Sequence, residues 1–191
     1  MTTVLRAKII AYTIFLPRWF AWPAAVLVVT LGGLVVGTSL YPLVLANIIA
    51  TFIVAFAHAY NSWADWVSGL DQGPPEERSR PKPYTSGQNL IARGVVTQNE
   101  TLVVALVYLA ASAGITGLLA GQTTTWVWLP WLVAVAGAPL YSWGKFNYTN
   151  ETWLFLGFGP AAAMQGAASA PGADLWRAAQ ARLPQRILVG S

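Results

Sequence analysis

The chain has 191 residues, of which 55% are hydrophobic and only 9% charged. A water-soluble domain carries about 25% charged residues, so that class is all but excluded. The absence of cysteine excludes disulfides, thiolate metal sites and cysteine nucleophiles. The net charge of +4 calls for no nucleic-acid partner, because membrane proteins gather basic residues in their cytoplasmic loops.

At the N-terminus, Arg6 and Lys8 could open a secretory signal, but Pro17, Arg18 and Trp19 interrupt the apolar run that would complete it, so none is expected. A membrane-spanning helix needs ~20 mostly apolar residues. Five such stretches occur, at about 19–37, 41–60, 101–120, 126–143 and 152–168, each free of Lys, Arg, Asp and Glu. The expected fold class is all-α, a single polytopic membrane bundle of five transmembrane helices. Small residues in the third and fifth stretches (Ala110 to Gly114; Gly157, Gly159 and Ala161 to Ala163) predict close helix packing. Gln165 and Asn47 are expected to hydrogen-bond across helices. His58 reads as a satisfied bundle histidine.

The links after the first and third stretches are uncharged. Arg6, Lys8, Arg18, Arg78, Arg80, Lys82, Arg93 and Lys145 all fall on the opposite side, which is therefore predicted cytoplasmic. Residues 61–99 form the long loop on that side. The tail carries Trp176, Ala179, Leu183 and Ile187 between polar residues and Arg177, Arg182 and Arg186. It reads as an interfacial amphipathic helix broken at Pro184 or, equally, as the run-up to a sixth span.

Chemistry concentrates just past Tyr60. If helix continues there, Asn61 and Asp65 stand four residues apart on one face. Gly69 offers a turn that could bring in Asp71. Such oxygen ligands suit Mg²⁺, which takes its remaining ligands from water and substrate phosphates. Downstream, Arg78, Arg80 and Lys82, with the hydroxyls of Tyr84 and Ser86, lie in a proline-rich loop able to clamp a diphosphate. Carboxylates, cations and an apolar bundle together suit an amphiphile with a diphosphate head and a tail in lipid.

The stretch Asn61-Ser62-Trp63-Ala64-Asp65, with Asp71 beyond it, resembles the first Asp-rich motif of the UbiA superfamily of intramembrane prenyltransferases. The spacing is most like the 1,4-dihydroxy-2-naphthoate branch of menaquinone biosynthesis. Lys82-Pro83-Tyr84-Thr85-Ser86-Gly87 is similar to the family's Arg-Pro-x-x-Ser-Gly stretch, and Tyr141 to Lys145 to its Tyr-x-x-x-Lys loop. Glu151 and Gly157-Phe158-Gly159-Pro160 resemble the start of the family's fifth helix. Ser62 stands where the family has Asp, and the family's second Asp-rich motif has no counterpart, so the likeness covers only the N-terminal part of the family's length.

The resemblance implies transfer of a polyprenyl group from polyprenyl diphosphate to an aromatic quinone precursor in a bacterial or archaeal inner membrane. It implies Mg²⁺ as cofactor, held by Asn61, Asp65 and Asp71. Catalytic roles would fall to Asp65, Asp71, Tyr141 and Lys145, and substrate binding to Asn61, Arg78, Arg80, Lys82, Tyr84 and Ser86. Tyr60, Tyr84 and Tyr141 are candidate neighbours of the allylic cation. The expected partners are the lipid bilayer, polyprenyl diphosphate, the aromatic acceptor and a protein supplying the remaining helices. The alternative is a catalytically inactive UbiA-like membrane subunit with a structural or lipid-binding role.

Overall fold

A computed structural model describes residues 3–72 and 90–171. Of the described residues, 83% are helical and none is in a strand. Helix α1 covers Thr3–Ile10 and runs into a π-turn, Ala11–Phe15, closed by the Leu16 amide on the Ala11 carbonyl at 2.9 Å. A 3₁₀ turn at Trp19–Ala21 then leads into α2, Trp22–Val36. Pro23 sits in the first turn of α2, where its missing N–H costs nothing. Gly37, at φ +76°, ends the helix in the left-handed region that favours glycine.

Helix α3 spans Leu40–Val67, seven residues past the expected end at Tyr60, so Asn61 and Asp65 are helical neighbours. The chain turns at Gly69, φ +83°, as the sequence suggested, and the Asp71 amide reaches the Asp65 carbonyl at 3.2 Å. Helix α4, Gln98–Gln122, opens with a reciprocal cap. The Glu100 amide donates to Thr97 Oγ1 and the Thr97 amide to Glu100 Oε2.

A 3₁₀ turn, Thr125–Val127, precedes α5, Trp128–Gly144. The last rod comprises α6 (Asn150–Leu156), a π-turn (Gly157–Ala161) and α7 (Ala162–Ala168). Pro160 explains the π-turn. Its ring would clash with the carbonyl of Leu156 in a regular helix, and one extra residue in the turn relieves that clash.

The helical segments fall where the sequence put its five stretches. Of them, α3 and α4 are long and apolar enough to cross a membrane, while α2 is apolar but only 15 residues long. The most apolar window of α4 is only 22% buried, which separates it from the core helix of a soluble protein. Leu27, Leu31, Leu34, Val103, Leu106, Val107, Leu129 and Leu132 all point outward. The proposed C-terminal amphipathic helix lies outside the described residues.

Packing is layered around α3, whose longest interface is with α4, while α2 packs on α7. The α2–α7 seam is a close backbone approach. A Cβ on Gly166 would strike the Val29 carbonyl and stand 2.7 Å from the Gly33 nitrogen, and one on Gly32 would strike the Ala163 carbonyl. Thr38 Oγ1 donates to the Gly166 carbonyl at 3.2 Å across the same seam. Small residues thus set packing in the fifth stretch. In the third, Gly114 meets nothing within 4 Å. The N-terminal segment is tied to α4 by Tyr108 Oη on the Tyr12 carbonyl (2.9 Å) and by the Lys8–Glu100 ion pair.

Candidate functional site

The end of α3 carries a buried polar cluster that α5 completes. Asn61 Nδ2 donates to Asp65 Oδ2 at 2.9 Å, the contact that their four-residue spacing allows. From the end of α5, Lys145 Nζ lies 2.7 Å from Asn61 Oδ1 and 2.6 Å from each oxygen of Asp65. Ser142, one turn earlier, donates to Asn61 Oδ1 at 3.3 Å. Asp65 is only 4% exposed, so its charge needs a partner, and Lys145 supplies it. The Lys145 ammonium also lies 4.9 Å from the centre of the Tyr141 ring.

Arg18 comes to the same place from the other side. Its guanidinium donates to Ser62 Oγ at 3.4 Å, and Ser62 in turn donates to the His58 carbonyl at 2.9 Å. Burial pushes the Arg18 guanidinium below its ordinary value, while the nearby charges of Asp65 and Asp71 and the Tyr141 phenol oppose that shift. The backbone at Arg18 is left-handed, φ +51°, a conformation costly for a residue with a Cβ. Its Nε is buried without a hydrogen-bond partner among the described residues.

Beneath this cluster opens a cavity of about 890 Å³ between α2, α3, α5 and the α6–α7 rod. Arg18, His58, Asn61, Tyr141 and Glu151 form its polar end, and Val28, Val29, Ala50, Ile53, Val54 and Ala162 are among the apolar side chains deeper in. Asn61 therefore belongs both to the charged cluster and to the cavity wall. Both Ala50 and Asn61 line the cavity, and eleven residues at 1.5 Å rise set its length along α3 at ~16 Å.

Of the residues named from sequence, Asn61, Asp65, Tyr141 and Lys145 meet in one place, with Asp71 close enough to act on Arg18. Arg78, Arg80, Lys82, Tyr84 and Ser86 lie outside the described residues. Tyr60 packs between Phe56 and Trp63, ring centres at 5.7 and 5.4 Å, and does not line the cavity. Asn47 makes the expected cross-helix bond, accepting from Thr30 Oγ1 at 3.3 Å. Gln165 does not: neither of its amide atoms has a partner among the described residues.

The donors around Asp65 do not match a magnesium ligand set. Asn61 Oδ1 and both Asp65 oxygens are already held by the Lys145 ammonium, and no group of three acidic or imidazole ligands occurs among the described residues. The Lys145 ammonium thus sits among the oxygens that the sequence offered to a divalent cation.

Sequence reasoning used Arg18 only against a secretory signal and for orientation. Its place as a lone cation at the foot of the first apolar stretch was the available signal, since a charge at that boundary must find a partner or a ligand. Comparison with protein-family models, curated proteins and solved structures gave no match.

Proposed function

We propose that this chain is an integral membrane protein of five spanning helices that binds a polyprenyl diphosphate, head at Arg18 and Lys145 and tail in the apolar cavity. We read it as a UbiA-type prenyltransferase, or the N-terminal part of one, with its motif face cytoplasmic and an aromatic quinone precursor as acceptor. The observation that carries this reading is the continuity of a two-cation mouth with an apolar cavity about 16 Å long through the shared residue Asn61. A lipid-like molecule with an anionic head matches both halves. The outward-facing apolar side chains of α2, α4 and α5 support a bilayer around the bundle.

In the transfer reaction the carbon–oxygen bond of the allylic diphosphate breaks, its electron pair leaving with the diphosphate. A ring carbon of the acceptor then bonds to the allylic carbon and gives up its proton. Arg18 and Lys145 would neutralise the departing diphosphate, the effect that dominates such chemistry. The face of Tyr141, which already meets a cation, would lie toward the allylic positive charge. Mg²⁺ has no step in this reading, since the donors around Asp65 are taken up by Lys145.

A second reading, a UbiA-like subunit that binds the lipid diphosphate without transferring it, is favoured by the same ion pair and by Ser62 in place of a carboxylate. One experiment separates the two. The full chain in lipid nanodiscs is titrated with geranylgeranyl diphosphate by tryptophan fluorescence, then given 1,4-dihydroxy-2-naphthoate with and without Mg²⁺. Saturable binding that falls roughly tenfold or more in Arg18→Asn supports the head-group site, and Asn tolerates the left-handed backbone. Prenylated product selects the enzyme, and binding without product selects the subunit. Absence of saturable binding overturns both.

A further inference from the structure

We propose that the inner end of the cavity is a recognition point for a hydroxyl group carried on the tail of the bound amphiphile, received by the side-chain amide of Gln165. The inference rests on the reading above for the placement of the head group, and adds a second polar contact at the opposite end.

Gln165 lines the cavity and is only 3% exposed, yet its Nε2 and Oε1 are both buried without a hydrogen-bond partner among the described residues. A buried amide in that state bears its full desolvation cost with nothing in return, an uncommon condition for a native side chain. Nor can the backbone withdraw. The next residue, Gly166, is pressed against Val29 and Gly33 of α2 with no room for a Cβ, which fixes Gln165 at this depth.

The polar atoms on this wall are brought into register by the π-turn. Trp153 Nε1, also buried and without a partner among the described residues, is twelve positions before Gln165 on the same rod. In an uninterrupted α-helix twelve residues would leave the two about 120° apart around the axis. One residue inserted at Gly157–Ala161 reduces that to about 20°, so that both line one cavity. Val29, Ala50, Ile53 and Val54 also line the cavity and offer a ligand no hydrogen bond through their side chains.

The chemistry of the ligand is set by the amide. A primary amide presents donors on nitrogen and an acceptor on oxygen, and a hydroxyl can both accept and donate. A hydrocarbon end would leave the amide as it stands. The occupant this end prefers is therefore a form of that amphiphile whose apolar chain carries a hydroxyl ~16 Å from the head.

The test compares dodecyl phosphate with its ω-hydroxy analogue, and uncharged dodecanol with the corresponding α,ω-diol, on the full chain in nanodiscs by tryptophan fluorescence. The wild type should bind the hydroxy phosphate roughly fivefold more tightly than the plain phosphate, the size of one net hydrogen bond. Gln165→Leu and Gln165→Met should lose that preference while binding the plain phosphate at least as well. Equal affinity in the wild type, or a preference that survives both substitutions, overturns the inference. If the hydroxyl preference holds but the phosphate adds nothing over the uncharged pair, the head-group reading falls and this inference stands. If neither pair binds, both fall.

Discussion

Two junctions hold the cavity walls, and they are built by opposite means. At the α2–α7 seam, Gly32, Gly33 and Gly166 let backbones touch, and no charged side chain takes part. At the mouth, α3 and α5 are joined by Lys145 on Asn61 and Asp65, a charged tie between side chains. A seam fixed by shape cannot be renegotiated by a ligand. A tie made of an ammonium and a carboxylate can, because an incoming phosphate offers the same ammonium another anion. The cavity thus has one rigid wall and one junction whose contacts a ligand can exchange.

The largest expected effect breaks the rigid side. Gly166→Val places side-chain atoms on the Val29 carbonyl and the Gly33 nitrogen, and should cost about 3 kcal/mol or more, read as a lowered midpoint of detergent unfolding. Gly114→Val, a like change in a helix of the same bundle where nothing lies within 4 Å, should leave that midpoint close to wild type. Equal losses would mean that the seam is not a tight contact.

Next comes the exchangeable side. Lys145→Ala leaves the Asp65 carboxylate buried without its counter-charge, for a cost of about 3 kcal/mol. Adding Asp65→Asn should recover most of it, because the penalty belongs to the uncompensated charge. A double mutant no better than Lys145→Ala would deny the coupling between the two helices.

Two smaller effects sharpen the contrast away from the cavity. Thr97→Ala removes the cap of α4 and should cost about 1 kcal/mol in the same unfolding measurement. Lys8→Met breaks an ion pair in which both side chains are about a third exposed, and should leave the midpoint unchanged. A clear loss there would show the N-terminal helix to be held by charge rather than by Tyr108 on the Tyr12 carbonyl.

Much of the helix layout was legible because apolar runs and their breaks are local. The run from Tyr41 to Tyr60 announced α3, Gly69 announced its end, and the Asn61–Asp65 contact came from a spacing of four. Less legible was how far α3 would extend, since Asn61 to Val67 is polar enough to read as loop. The π-turn at Gly157–Ala161 was hidden within an apolar run. Pro160 was visible there, but whether a helix answers a proline by kinking or by widening depends on its neighbours.

By itself, then, the sequence determined that the chain is a helical bundle and where its apolar helices lie, and that Asn61 and Asp65 would share a face if helix ran on past Tyr60, because helix period and apolar content involve only residues near one another in the chain. Tertiary structure alone decided that Lys145, eighty positions away, reaches the carboxylate of Asp65. It also decided that Arg18 bends back onto Ser62, and that Gln165 is desolvated without a partner. Each of these depends on which helix packs beside which and on how closely glycines let them approach. That information resides in the assembled bundle, since burial turns an ordinary charge or amide into one that must find a partner.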